Sequence, residues 1–248
     1  MWGQIDASYT AFGLIALYYL QKDQPFISAV WFGVAFSFKL QAIFFLPVFM
    51  LYFWYQYRQK IVYVFIVPIV YYVLALPALI AGRSFTDITT IYLLQTQTYP
   101  LLTLNMPNMY QWFPNQRYED LSLFAIGLFT ALMAIQWLAM LMQKITLKKE
   151  HILLFTYWSI LMANFFLPAM HERYLFAADV IVILLVLQYG KKYFMVLLTQ
   201  LISLLAYAPF IFNQTPIPHD EVAVGFLVTL ILATYWLWSS LKQPFLKK

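Results

Sequence analysis

Five long apolar runs constrain this chain more than anything else in it: 61–81, 121–142, 152–169, 193–212 and 222–241. Crossing the hydrocarbon of a bilayer as a helix takes about 20 apolar residues, with ~17 as a lower bound, and each run meets that. Shorter runs join them. Residues 174–189 are slightly short for a span and carry Asp179, and 7–20 is shorter still but opens in an aromatic-rich entry segment. Residues 26–38 and 42–57 form a pair broken by Lys39-Leu40-Gln41. They read either as short spans or as a re-entrant hairpin, and both readings return the chain to the same side. The expectation is an all-α integral membrane protein of about nine transmembrane or re-entrant helices. Only 10% of residues are charged, against ~25% in a soluble domain, which agrees.

Loop charge orients the chain. With alternating loops, one side receives Lys22, Arg58, Lys60, Lys144, Lys148, Lys149, Lys191, Lys192, Lys242, Lys247 and Lys248. The other receives Lys39, Arg83, Arg117 and Arg173. Eleven against four is a positive-inside bias, so the first set is cytoplasmic, the amino terminus outside and the carboxyl terminus cytoplasmic. Acidic residues split the opposite way, with only Asp23 and Glu150 inside. The net charge of +5 therefore speaks of membrane orientation and not of nucleic acid. Aromatics reach 20%, more than packing needs, and Tyr and Trp favour the headgroup zone. The absence of cysteine excludes disulfides, thiol nucleophiles and Cys-ligated metals. Met1 is followed at once by Trp2-Gly3-Gln4-Ile5-Asp6 with no basic leader region, so no cleavable signal is expected.

No repeat or second domain stands out, and 1–248 reads as a single transmembrane domain. Its one long loop, 82–120, is too apolar for a flexible linker and too interrupted for a span. It is expected to lie on the outer surface as an interfacial segment, its Tyr and Trp at headgroup level. Pro47, Pro68, Pro77 and Pro168 fall within or at the ends of spans, where neighbouring helices can satisfy the freed backbone.

The residues able to carry chemistry cluster on the outer side. His171-Glu172-Arg173-Tyr174 joins two apolar runs, and three consecutive ionisable side chains at a membrane edge are costly to place. As a plain turn, it would let Arg173 snorkel to headgroups and place Tyr174 in the aromatic belt. As a site, its guanidinium suits a phosphate or pyrophosphate. Lys39 at mid-depth costs ~2.5–3.5 kcal/mol and needs a partner or a ligand there, whereas in a surface turn it would meet only water or lipid phosphate. Lys39 and Arg173 together are suited to neutralise one anionic group. Asp6 suits the positive end of the first helix, or the edge of an outer cavity as a base or sugar ligand. Asp179, more than one turn past Arg173, is expected to be a buried partner of Arg173 or Lys39. Asn108, Tyr110 and Trp112 suit a saccharide site, and interfacial anchoring explains the two aromatics equally well. His151 and His219-Asp220-Glu221 lack metal-ligand spacing and read as solvated ends.

Trp2-Gly3-Gln4 with Asp6, Lys39-Leu40-Gln41 before a run holding Pro47, and His171-Glu172-Arg173-Tyr174 after a Pro-ended helix form an ordered set. Together they resemble the GT-C membrane glycosyltransferases, in particular bacterial proteins related to the second mannosyltransferase of GPI-anchor synthesis. The resemblance covers residues 1 to about 192. It implies a GT-C-like fold in a bacterial plasma membrane. It also implies inverting transfer of a sugar from a polyprenyl-phosphate donor to a lipid or glycan acceptor on the extracytoplasmic face of the cell envelope. An acceptor hydroxyl attacks the anomeric carbon with help from a carboxylate base, and cations stabilise the departing phosphate. By similarity, Arg173, His171 and Lys39 would take the donor phosphate. Gln4, Gln41, Glu172, Tyr174, Asn108 and Trp112 would serve sugar or acceptor, and Asp6 would be the catalytic candidate. No cofactor or metal is expected.

In that superfamily the principal carboxylate usually sits in the first outer loop, after the first helix. The chain opens at what looks like the family's Trp-Gly-Gln point, so an upstream region of about three helices is expected to be missing, and such a fragment stands to be inactive alone. A transporter or flippase of lipid-linked sugars is the competing expectation, using the same outer cations without a base. A structural membrane subunit is the third, in which Arg173 is dispensable.

Overall fold

Each of the nine apolar runs coincides with a helix to within a few residues in the computed structural model, which describes residues 5–96 and 98–242. Trp2, Gly3, Gln4, Lys247 and Lys248 lie outside the described residues. Ten α-helices are formed among those described. Four helical stretches, Arg58–Ile80, Asn115–Met142, Tyr193–Phe212 and His219–Lys242, are long and apolar enough to cross a membrane. The chain divides into two compact units, Met1–Pro100 and Leu101–Lys248. The division falls within the 82–120 loop.

In the first unit, α1 (Asp6–Gln21) and α2 (Pro25–Phe38) lie side by side. Their buried faces are rich in small residues, Gly13 and Ala16 on one and Ser28, Ala29 and Ala35 on the other, which let two backbones approach closely. Ser28 Oγ donates to the carbonyl of Ala16 at 2.7 Å, so a buried hydroxyl ties the helices together. Pro25 opens α2 in the first turn, where its missing N–H costs nothing. At the other end Lys39 is extended (φ −160°, ψ 137°), and a 3-10 helix over Leu40–Phe45 leads into α3 (Leu46–Gln56). Phe32 of α2 stacks on Phe49 of α3 with ring centroids 4.4 Å apart, so the chain doubles back at Lys39. A 3-10 stretch, Arg58–Phe65, then feeds α4 (Ile66–Ile80), which packs on α2 but has no buried residue.

The first part of the expected surface loop is instead a helix, α5 (Phe85–Thr96). Ser84 Oγ accepts from the Asp87 N–H at its start, a side-chain cap on an otherwise orphaned donor. Two phenols then anchor it: Tyr92 donates to the Phe36 carbonyl at 2.5 Å, and Tyr71 of α4 donates to the Ile88 carbonyl at 2.6 Å.

The second unit is built around α7 (His151–Phe166), of whose 16 residues 14 are buried. Around it stand α6 (Tyr118–Met142), α8 (Phe176–Tyr189) and α10 (His219–Lys242), and α9 (Tyr193–Phe212) packs on α8 and α10. Polar pairs cross between these apolar helices. Trp158 donates to Thr234 at 2.9 Å, Tyr157 and Thr199 share a bond of 2.7 Å, and Trp238 donates to Gln136 at 2.9 Å. In an apolar surround such bonds fix which helix faces meet, because the alternative is an unsatisfied polar group. Two short strands, β1 (Thr103–Leu104) and β2 (Met170–His171), pair in parallel outside the helices.

Candidate functional site

Pro168 follows directly after α7 has ended, and the chain leaves the helix through extended Leu167 (ψ 147°). Ala169 then takes a left-handed conformation (φ 56°), which costs a non-glycine residue roughly 1–2 kcal/mol. The turn is held from outside its own sequence. Ala169 N–H donates to the Leu102 carbonyl at 2.9 Å, Thr103 pairs with Met170, and Leu104 with His171. Asn105, also left-handed at φ 62°, bridges to His171 from the other direction. Two left-handed residues thus bracket the ladder that carries His171. Glu172–Leu175 continue as a 3-10 turn straight into α8.

Within this frame Glu172 is the buried centre. Its residue is 5% exposed, while its carboxylate lies 3.6 Å from His171 Nδ1 and 3.6 Å from an Arg173 guanidinium nitrogen. The imidazole and guanidinium side chains each keep 18% of their surface exposed. Burial pushes the Glu172 carboxyl up, but hydrogen bonding to His171 and the nearby His171 and Arg173 charges outweigh it and hold the group below the usual range. Tyr174 is buried under the pair, its ring 5.2 Å from the imidazole centroid and 5.6 Å from the guanidinium carbon. A buried carboxylate thus lies beside two partly exposed side chains, a guanidinium and an imidazole, which are groups able to meet an anion.

The end of α7 leaves carbonyls without helical partners, as every helix does, and the loop supplies donors for them. Asn108, fully buried, donates from Nδ2 to the Asn164 carbonyl at 3.2 Å and accepts the Tyr110 N–H at 3.1 Å. The Tyr110 hydroxyl donates to the Phe166 carbonyl at 2.6 Å, and burial pushes that phenol up to about 12. Asn164 in turn donates to the Tyr174 carbonyl at 3.3 Å, linking the buckle to the turn above. Within 102–110, Leu102, Met106, Asn108 and Tyr110 are all buried. Both ends of the Asn108 amide are thus engaged by the fold. Trp112 differs, being 47% exposed.

The remaining candidates fall elsewhere. Lys39 and Asp6 belong to the first unit, where their side chains meet at 2.5 Å and the ammonium also lies 5.8 Å from the Tyr9 ring centroid. A partner of Lys39 is thus Asp6, which sits in the first turn of α1. Gln41 is half-buried in the following 3-10 helix, and Gln4 lies outside the described residues. Asp179 is not the partner of Arg173 or Lys39: it accepts from Ser203 of α9 at 2.7 Å. Among the described residues no three His, Cys, Asp or Glu side chains gather into a metal-sized group. Sequence reasoning missed the buckle, whose only signal was an Asn and a Tyr two apart in a Pro-flanked stretch. The chain matches no family model, no curated protein and no solved structure.

Proposed function

We propose that this chain acts as a multi-pass glycosyltransferase of the plasma membrane, mannosyltransferase-like, working on the extracytoplasmic face. It moves a sugar from a polyprenyl-phosphate donor to a lipid or glycan acceptor. The observation that carries this reading is the Glu172 carboxylate 3.6 Å from both His171 and Arg173 on a turn fixed by the β1–β2 ladder. In the proposed reaction the acceptor hydroxyl attacks the anomeric carbon and gives its proton to a carboxylate. Arg173 and His171 take up the charge that develops on the leaving lipid phosphate. Trp112, 47% exposed, remains a proposed saccharide contact. Four helices apolar enough to cross a membrane support the setting.

The test uses the protein expressed from its natural reading frame, purified in detergent with a radiolabelled short-chain polyprenyl-phosphate sugar and acceptor lipids. Transfer of label is expected, and Arg173→Ala should reduce it by about 10²–10³-fold, the usual cost of one charge-stabilising donor. Detergent leaves no compartment to transport across, so donor binding without any transfer would favour a carrier. Full activity in Arg173→Ala would favour a structural subunit.

A further inference from the structure

Glu172 is the one member of the outer turn whose charge has the wrong sign for an anion site, and it is also the most deeply buried. Its residue is 5% exposed, and it stands 3.6 Å from each cationic side chain. We propose that Glu172 is a specificity-determining residue, which sets the charge of the anion that the His171–Glu172–Arg173 turn accepts and favours a singly charged phosphodiester over a pyrophosphate. This rests on the reading of the turn as an anion site.

The argument is one of charge and rigidity. Arg173 contributes +1, Glu172 −1, and His171 between 0 and +1, so the trio carries between 0 and +1 in total. A phosphodiester carries one negative charge and balances the upper end of that range. A prenyl pyrophosphate carries two or three, and its excess charge would have to lie beside the Glu172 carboxylate in a partly desolvated site, where like charges repel strongly. Nor can the turn spread to hold the larger anion between its cations. Its backbone is fixed on one side by the Thr103–Met170 and Leu104–His171 pairs and on the other by the 3-10 entry to α8. The same pairing holds Ala169 and Asn105 in left-handed conformations. Glu172 thereby both aligns the two cations and rejects surplus negative charge, which is how specificity by repulsion works.

The experiment measures binding alone, with a short-chain prenyl-phosphoryl hexose and the matching prenyl pyrophosphate as probes for the detergent-solubilised chain. Wild type is expected to bind the phosphodiester at least about tenfold more tightly than the pyrophosphate. Glu172→Gln keeps the shape and one acceptor oxygen but removes the charge, and should shift that ratio by about tenfold toward the pyrophosphate. Glu172→Ala loses alignment as well and should weaken both probes, while Glu172→Asp should restore the wild-type ratio. An unchanged ratio in folded Glu172→Gln, or an equal loss for both probes, overturns the proposal. If Glu172→Gln does not fold, the wild-type ratio decides alone: pyrophosphate bound as tightly as phosphodiester, or neither bound, is fatal. A wild type that discriminates between the probes yet transfers no sugar supports this inference while removing the enzymatic reading.

Discussion

Lys39 is a charge that is costly to place in a chain this apolar, and the geometry around it says how the cost is met. Its ammonium reaches Asp6 at 2.5 Å, with 14% of the lysine and 8% of the aspartate side chain left exposed. Breaking a pair buried to this degree strands the other charge, which typically costs 3–5 kcal/mol, whereas replacing both members by neutral residues of similar volume is close to neutral. Lys39→Ala should therefore destabilise the protein by about 3 kcal/mol or more, and the double change Asp6→Asn with Lys39→Met should come within ~1 kcal/mol of wild type. Denaturant unfolding in micelles measures both. Equal losses in the single and double variants would mean that the pair is not what holds this end of α1 to α2. The need of Lys39 for a partner was legible in the sequence; the identity of that partner, 33 positions away, was not.

At the scale of the element, close approach of helices is the feature most open to test. A Cβ built on Gly33 of α2 would stand 2.7 Å from Val70 Cβ and 3.2 Å from the Val67 carbonyl of α4. Backbone cannot move aside as a flexible side chain can. Gly33→Ala should cost about 1–3 kcal/mol through overpacking. Gly127→Ala in α6 and Gly225→Ala in α10 meet nothing within 4 Å and should be neutral or stabilising by up to ~1 kcal/mol, because alanine is the better helix former. Thermal unfolding of the three variants under one condition checks the contrast. The nine apolar runs show why long helices are easy to read: their length alone decides them. Helix α5 was read as loop because Asp87-Ile88-Thr89-Thr90 carries weak helix formers, and its anchoring phenols come from α4 and from its own far end. A two-residue ladder such as β1–β2 has no period for a sequence to display.

For the whole molecule the open matter is which loops face outward. The chain contains no cysteine, so single cysteines report position without background. In the proposed topology, Gln116→Cys is labelled by a membrane-impermeant maleimide on intact cells, and Lys191→Cys only after permeabilisation. Both positions are exposed in the fold. Labelling of both from the same side, or the reverse pattern, would overturn the charge-based orientation. The sequence by itself determined that the chain is helical, apolar and broken into these segments, because a helix satisfies its backbone locally and an apolar run long enough leaves it little choice. Tertiary structure alone decided what the polar residues do. Asn108 and Tyr110 serve α7 carbonyls 56 positions on, Asp179 turns to Ser203, and the loop strand pins the turn that carries Arg173. Such meetings depend on how helices pack, and no local spacing encodes the distance between side chains that are far apart along the chain.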